Sequence, residues 1–206
     1  MPPDERPIPR FIAEPPQEAL PYGRWAEALA NHFLEACRRV DPEDDDLGDP
    51  GQITWFPDRT YGGRTYVPAT APTSTGYELF GYVSFTREHE GAEARDFFSV
   101  ADFTDETAEA NPEWRLDLSD QEIATWRGAQ GRRGEIALVW GVALEHRGLV
   151  VTAELGPTTT DQCALVEDRF TLVSLDAYTG DYLEVVLWGS DGREIAAESL
   201  YADEEQ

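Results

Sequence analysis

The sequence predicts an α+β fold: mainly antiparallel β-sheet, a strongly curved hairpin meander, with an N-terminal amphipathic helix and one further short helix. Three observations carry that prediction. One apolar stripe recurs at helical spacing near the start of the chain. From Gln52 onward, short β-branched and aromatic runs are separated by turn signals. The hydrophobic share is 41%, with six Trp, eight Tyr and nine Phe, enough for a packed core.

Residues 1–21 hold seven of the fourteen prolines and read as an extended arm, with the remainder, 22–203, as a single α+β domain. In "YGRWAEALANHFLEACRRV" (22–40), Trp25, Leu29, Phe33 and Cys37 fall every four residues, an amphipathic helix with Arg38 and Arg39 at its C-terminal end. The helix stops at "DPEDDDLGDPG" (41–51), where proline, glycine and six carboxylates leave a solvated loop. Strands are expected at "QITWF", "RTYVPA", "YELFGYVSF", "RDFFSVADF", "EWRLDL", "EIALVWGVAL", "LVVTAEL", "CALVEDRFTLVSL", "DYLEVVLW" and "REIAAESLY". The second helix is expected in "LSDQEIATWRGAQG" (118–131), where Ser119 and Glu122 form a capping box and Gly128 or Gly131 ends the element.

The tetrapeptide Glu-His-x-Gly occurs twice, at 88–91 and 145–148, and uses two of the three histidines. Both copies fit turn tips, where glycine supplies positive φ and Glu and His are polar bend residues. An apolar–aromatic–glycine triplet precedes each and recurs a third time: Leu79-Phe80-Gly81, Val139-Trp140-Gly141 and Leu187-Trp188-Gly189. If each opens a hairpin, Gly81 should face Ala101 and Gly141 should face Ala153, with Glu145 opposite Leu149. The third should put Gly189 opposite Glu194 and break the pattern. A weak internal duplication is one reading; a paired metal site would need both tips to converge with further ligands.

Charge is the outlying property: 41 acidic against 16 basic residues, a net of −25, and no lysine. Arginine codons of a GC-rich genome are the expected cause of the missing lysine, ahead of a saline habitat, and solubility is the expected cause of most of the acidity. Such a surface repels nucleic acid and anionic lipid, and attracts basic proteins. Arg38-Arg39 and Arg132-Arg133 are the only basic pairs, so direct nucleic-acid binding is not expected. Without lysine there is no phosphate-loop lysine and no Schiff base, and no nucleophile elbow, His-Glu-x-x-His or dinucleotide glycine motif occurs. The acidic loop 41–51 fails the EF-hand spacing. Cys37 and Cys163 lack metal or redox spacing, and His32, five residues from Cys37, sits at the edge of the helical stripe as a packed residue. No cofactor or metal is expected.

No secretory signal is visible, and the longest apolar run, "IALVWGVAL" (136–144), falls short of the roughly 20 residues that span a bilayer. A cytoplasmic, bacterial protein is the expectation. The leading functional expectation is a non-enzymatic acidic protein that engages a basic protein partner as an inhibitor, immunity or accessory factor. Glu43, Asp44, Asp45 and Asp46 are the expected contact. One alternative is an enzyme or small-molecule binder with an aromatic-lined pocket between sheet and helix. There Asp102 and Asp105, close to Glu106 and Glu109, would supply acid–base groups; no catalytic residue can be assigned. Another is a structural subunit whose proline-rich arm lies on a neighbour.

Overall fold

Helix α1 (Gly23–Cys37) forms where the four-residue spacing puts it, and buries Leu29, Phe33 and Ala36. In this computed structural model the described residues are 20–42, 45–89, 91–128 and 131–200; the arm expected over 1–21 lies outside them but for Leu20 and Pro21. Among the described residues α1 is the one helix, and none is long and apolar enough to cross a membrane.

The first sheet follows. Strands β1 (Thr54–Trp55), β3 (Arg64–Pro72), β4 (Glu78–Thr86) and β5 (Arg95–Thr104) lie in that order, with β2 (Arg59–Tyr61) also paired to β3. All pairings are antiparallel, and Gly81 stands opposite Ala101, the pairing that a loop centred near Gly91 permits. The two-residue period sorts its faces. Val67, Ala69, Ala71, Val83 and Phe85 point at α1 and close a core with Leu29 and Phe33. Tyr66 and Tyr82 point the other way, into the larger core.

The helix expected over 118–131 is replaced by strand over 118–127. These residues belong to β6 (Leu116–Arg127), which pairs with β7 (Arg133–Ala143), Ser119 facing Trp140 and Thr125 facing Glu135. A capping box satisfies two donors locally, whereas this ladder satisfies backbone along a whole strand whose other face of contacts is core. Tertiary pairing therefore overrides the local helix signal. With β10 (Arg169–Leu175) on the far side of β7, a second sheet forms in the order β10-β7-β6. Ile136, Ala137, Leu138, Val139 and Trp140 are at most 2% exposed. The unbroken apolar run thus reads as a strand covered on both faces.

The third sheet holds β9 (Thr158–Ala164), β8 (Gly148–Leu155) and β12 (Asp181–Gly189) in that order, with β11 (Ala177–Tyr178) and β13 (Glu194–Ser199) both paired to β12. The second sheet lies between the first and third, and its side chains join those of both in one core. Two of the hairpin expectations are corrected here. Gly141 faces Leu118 and Phe170, while Ala153 faces Val185 and Asp161. The turn at 145–148 therefore carries the chain from the second sheet to the third instead of closing a hairpin. A bulge after Leu187 moves Trp188, not Gly189, opposite Glu194.

The shared glycine after the aromatic has a packing cause in two of the three triplets. A Cβ on Gly81 would sit 2.1 Å from Val100 O, and one on Gly141 2.1 Å from Asp117 O. In both places a neighbouring backbone comes too close for any side chain.

Candidate functional site

Three carboxylate-bearing stretches meet at one end of the first sheet. The loop after α1 is tied to the β3–β4 turn: Ser74 Oγ accepts from Asp49 N at 3.1 Å, and Ser74 N donates to Asp49 O at 3.1 Å. Tyr77, in the same turn, donates its hydroxyl to Asp45 and also feels the charge of Asp105, which follows β5; both effects push the phenol upward. Of the four contact residues expected from sequence, Asp45 and Asp46 are exposed at this end, and Glu43 and Asp44 lie outside the described residues. Asp46 accepts the backbone N–H of Gly48 at 3.2 Å, which shapes the loop. The loop segments 41–51 and 104–114 contain no basic residue. The end is acidic throughout.

The next residue after Tyr77 starts a cleft of about 130 Å³ between the first and second sheets. Glu78 enters it from β4 and Asp117 from β6; the hydroxyl residues Thr54, Thr70 and Ser119 line it, with Phe56 as its one aromatic wall. Gly141 forms part of the floor, and its missing side chain lets the β6 backbone carry Asp117 in. Burial first and the charge of Asp117 second push Glu78 up to about 7, against the pull of the Thr70 hydroxyl that donates to it. Burial also raises Asp117. Desolvation disfavours a carboxylate, and a second carboxylate beside it disfavours it again. None of the lining residues is a cation.

Another buried carboxylate, Asp161, is built the opposite way. Asp161 on β9 and Arg59 on β2 form an ion pair, with side chains 0% and 2% exposed, that ties the third sheet to the first. Asp161 also accepts the backbone N–H groups of Gln162 and Val173, both at 2.9 Å. Burial raises its carboxyl, against the pull of Arg59 and those two donors.

The other residues singled out from the sequence take plainer places. Asp102, Asp105, Glu106 and Glu109 are exposed, and Asp102 turns back on the N–H of Phe103. His32 stacks on Phe97, ring centroids 4.4 Å apart, and His146 lies 3.6 Å from Asp168 on a turn. Cys37 and Cys163 are not joined in a disulfide; burial lifts Cys37 to about 11, which keeps it unreactive. Among the described residues no three His, Cys, Asp or Glu side chains converge as a metal site. Phe56 is the one aromatic residue lining the Glu78–Asp117 cleft, and other aromatics pack on one another, Tyr66 on Tyr82 at 5.3 Å and Phe80 against Trp140 at 6.4 Å.

Glu78 and Asp117 were not legible as a site from sequence, since 39 positions apart they meet only when the first sheet packs on the second. One signal existed. Glu78 alternates with Phe80 and Tyr82 on a strand whose other parity is also apolar, so neither face was free for an acid. No protein-family model, curated protein or solved structure matches this chain.

Proposed function

We propose that this is a non-enzymatic binding protein that receives a basic protein partner at the acidic end of the first sheet, in an inhibitory, immunity or accessory role. The observation that supports it is the Glu78–Asp117 pair, two part-buried carboxylates in one cleft with no lining cation. Holding Glu78 ionised there costs of the order of 2–3 kcal/mol, given its shift and its partial exposure. Uncompensated charge of this kind collects at functional sites, where an external group completes it. The exposed acids around the mouth supply the long-range field that speeds encounter with a basic surface.

The acid–base reading of the same pair has one point in its favour, a carboxyl poised near neutral pH. Size argues against it: at about 130 Å³ the cleft is well under the roughly 300–1,000 Å³ of small-molecule pockets. A side chain fits; a substrate with room to react does not.

The test begins with the tagged protein as bait in lysate of its own source, at low and then high salt. A stoichiometric basic partner released by salt is the expected catch. Its affinity should then fall more than tenfold when Glu43 is changed to Gln and Asp44, Asp45 and Asp46 to Asn. An empty bait, or a partner indifferent to both salt and those four substitutions, would sink the reading.

A further inference from the structure

We infer that the Glu78–Asp117 cleft seats one arginine side chain of that basic partner. The inference rests on the reading above for its premise that the missing cation comes from outside the chain. Two carboxylates entering from different sheets offer acceptors on two sides of the cavity, and the hydroxyls of Thr70 and Ser119 add more. A guanidinium carries five donors in a planar fork and can satisfy two carboxylates at once. An ammonium has three donors and is more strongly hydrated, so it loses more on entry. With water occupying roughly 30 Å³ in the liquid, a cavity of about 130 Å³ holds a head group and the adjoining methylene, and little else.

Entry of the cation is coupled to a proton. The groups facing Glu78 are Asp117 from β6 and Thr70 from β3; the other lining residues, from β1, β6 and β7 and the segment after β1, do not titrate. A guanidinium favours the ionised carboxylate, so at pH 6 it must expel the Glu78 proton and at pH 8 it meets a cleft already charged. Since only the ionised fraction is competent, affinity should be roughly tenfold higher at pH 8 than at pH 6.

The probe is n-propylguanidinium, titrated into the intact protein while the amide resonances of Thr70, Ser119 and Gly141 are followed. Expected is a saturable shift of these three, about tenfold tighter at pH 8 than at pH 6, stronger than with n-butylammonium, and lost in Glu78→Gln and in Asp117→Asn. Unchanged α1 amides in both variants show that they remain folded. No saturable shift, a shift that survives both variants, equal affinity at the two pH values, or butylammonium binding as tightly would each overturn the assignment. A salt-sensitive partner captured by a protein that ignores propylguanidinium would remove the cleft and leave the acidic end standing. Propylguanidinium binding that persists in Asp45→Asn/Asp46→Asn while capture is lost would support the cleft as a separate subsite.

Discussion

Two of the places where the described residues bury carboxylates are built oppositely. Asp161 is met by Arg59 and two backbone N–H groups, all from its own chain, and it joins the outer sheets. Glu78 is met by a second carboxylate and a hydroxyl. Both sites lie between layers of sheet, so depth alone does not set their character. What differs is whether the fold supplies the countercharge: Asp161 has it from Arg59, and the lining of the Glu78 cleft holds none.

Removing a partner from the complete site should have the largest effect. Asp161→Ala would strand the Arg59 guanidinium in the core and lower stability by about 3–5 kcal/mol, or about 10 °C in thermal midpoint for a chain of this size. Replacing both members, Arg59→Met with Asp161→Leu, should recover most of that loss; a double variant as unstable as the single would mean that the pair is not what holds these strands. The incomplete site should respond with the other sign. Glu78→Gln should stabilise the protein by about 2–3 kcal/mol at pH 8, and by almost nothing at pH 4. The folded protein keeps the Glu78 proton until pH nears 7, whereas the unfolded chain releases it near 4.5. The stability owed to this group is therefore intact below pH 4.5 and lost as pH climbs to 7. Denaturant titrations of both proteins across that window would show the gap opening; parallel curves would deny the strain. Smallest should be Arg38→Ala, which breaks an ion pair with Glu35 whose side chains are 70% and 58% exposed. A change beyond about 0.5 kcal/mol would be unexpected for a pair that water already solvates.

How far the sequence shows this contrast follows from how local each signal is. The α1 stripe is a single-element pattern, and Leu29 and Phe33 are buried where the spacing puts them. The β4–β5 hairpin, whose Gly81–Ala101 register could be counted from its turn, is equally local. The segment 118–131 misleads because Ser119, Glu122 and Gly128 make a sound local helix argument, while the partner that decides the matter, β7, exerts its hold only in the assembled sheet. The turn at Glu145–Gly148 misleads likewise: the tip is a real turn, with Gly148 N donating to Glu145 O at 3.1 Å, but nothing in four residues says that the next strand joins another sheet. For the site, the acidic loop announces itself by composition. The buried pair does not, because one glutamate among 41 acids carries no mark until both faces of its strand are known to be covered.

The middle strand also bears on how the chain reaches this state. β7 is apolar on both faces and carries no charge or proline from Ile136 to Leu144. One of its neighbours, β6, is made before it; the other, β10, follows only after β8 and β9 have been synthesised. Until then a sticky, β-prone nonamer has one edge open to another copy of itself, the ordinary start of aggregation. Charged residues stand as gatekeepers on either side, Arg132, Arg133 and Glu135 before it and Glu145 and Arg147 after. A net charge of −25 adds repulsion between whole chains at the stage when that edge is open. The acidity of the folded surface thus also protects the unfinished protein from its own kind.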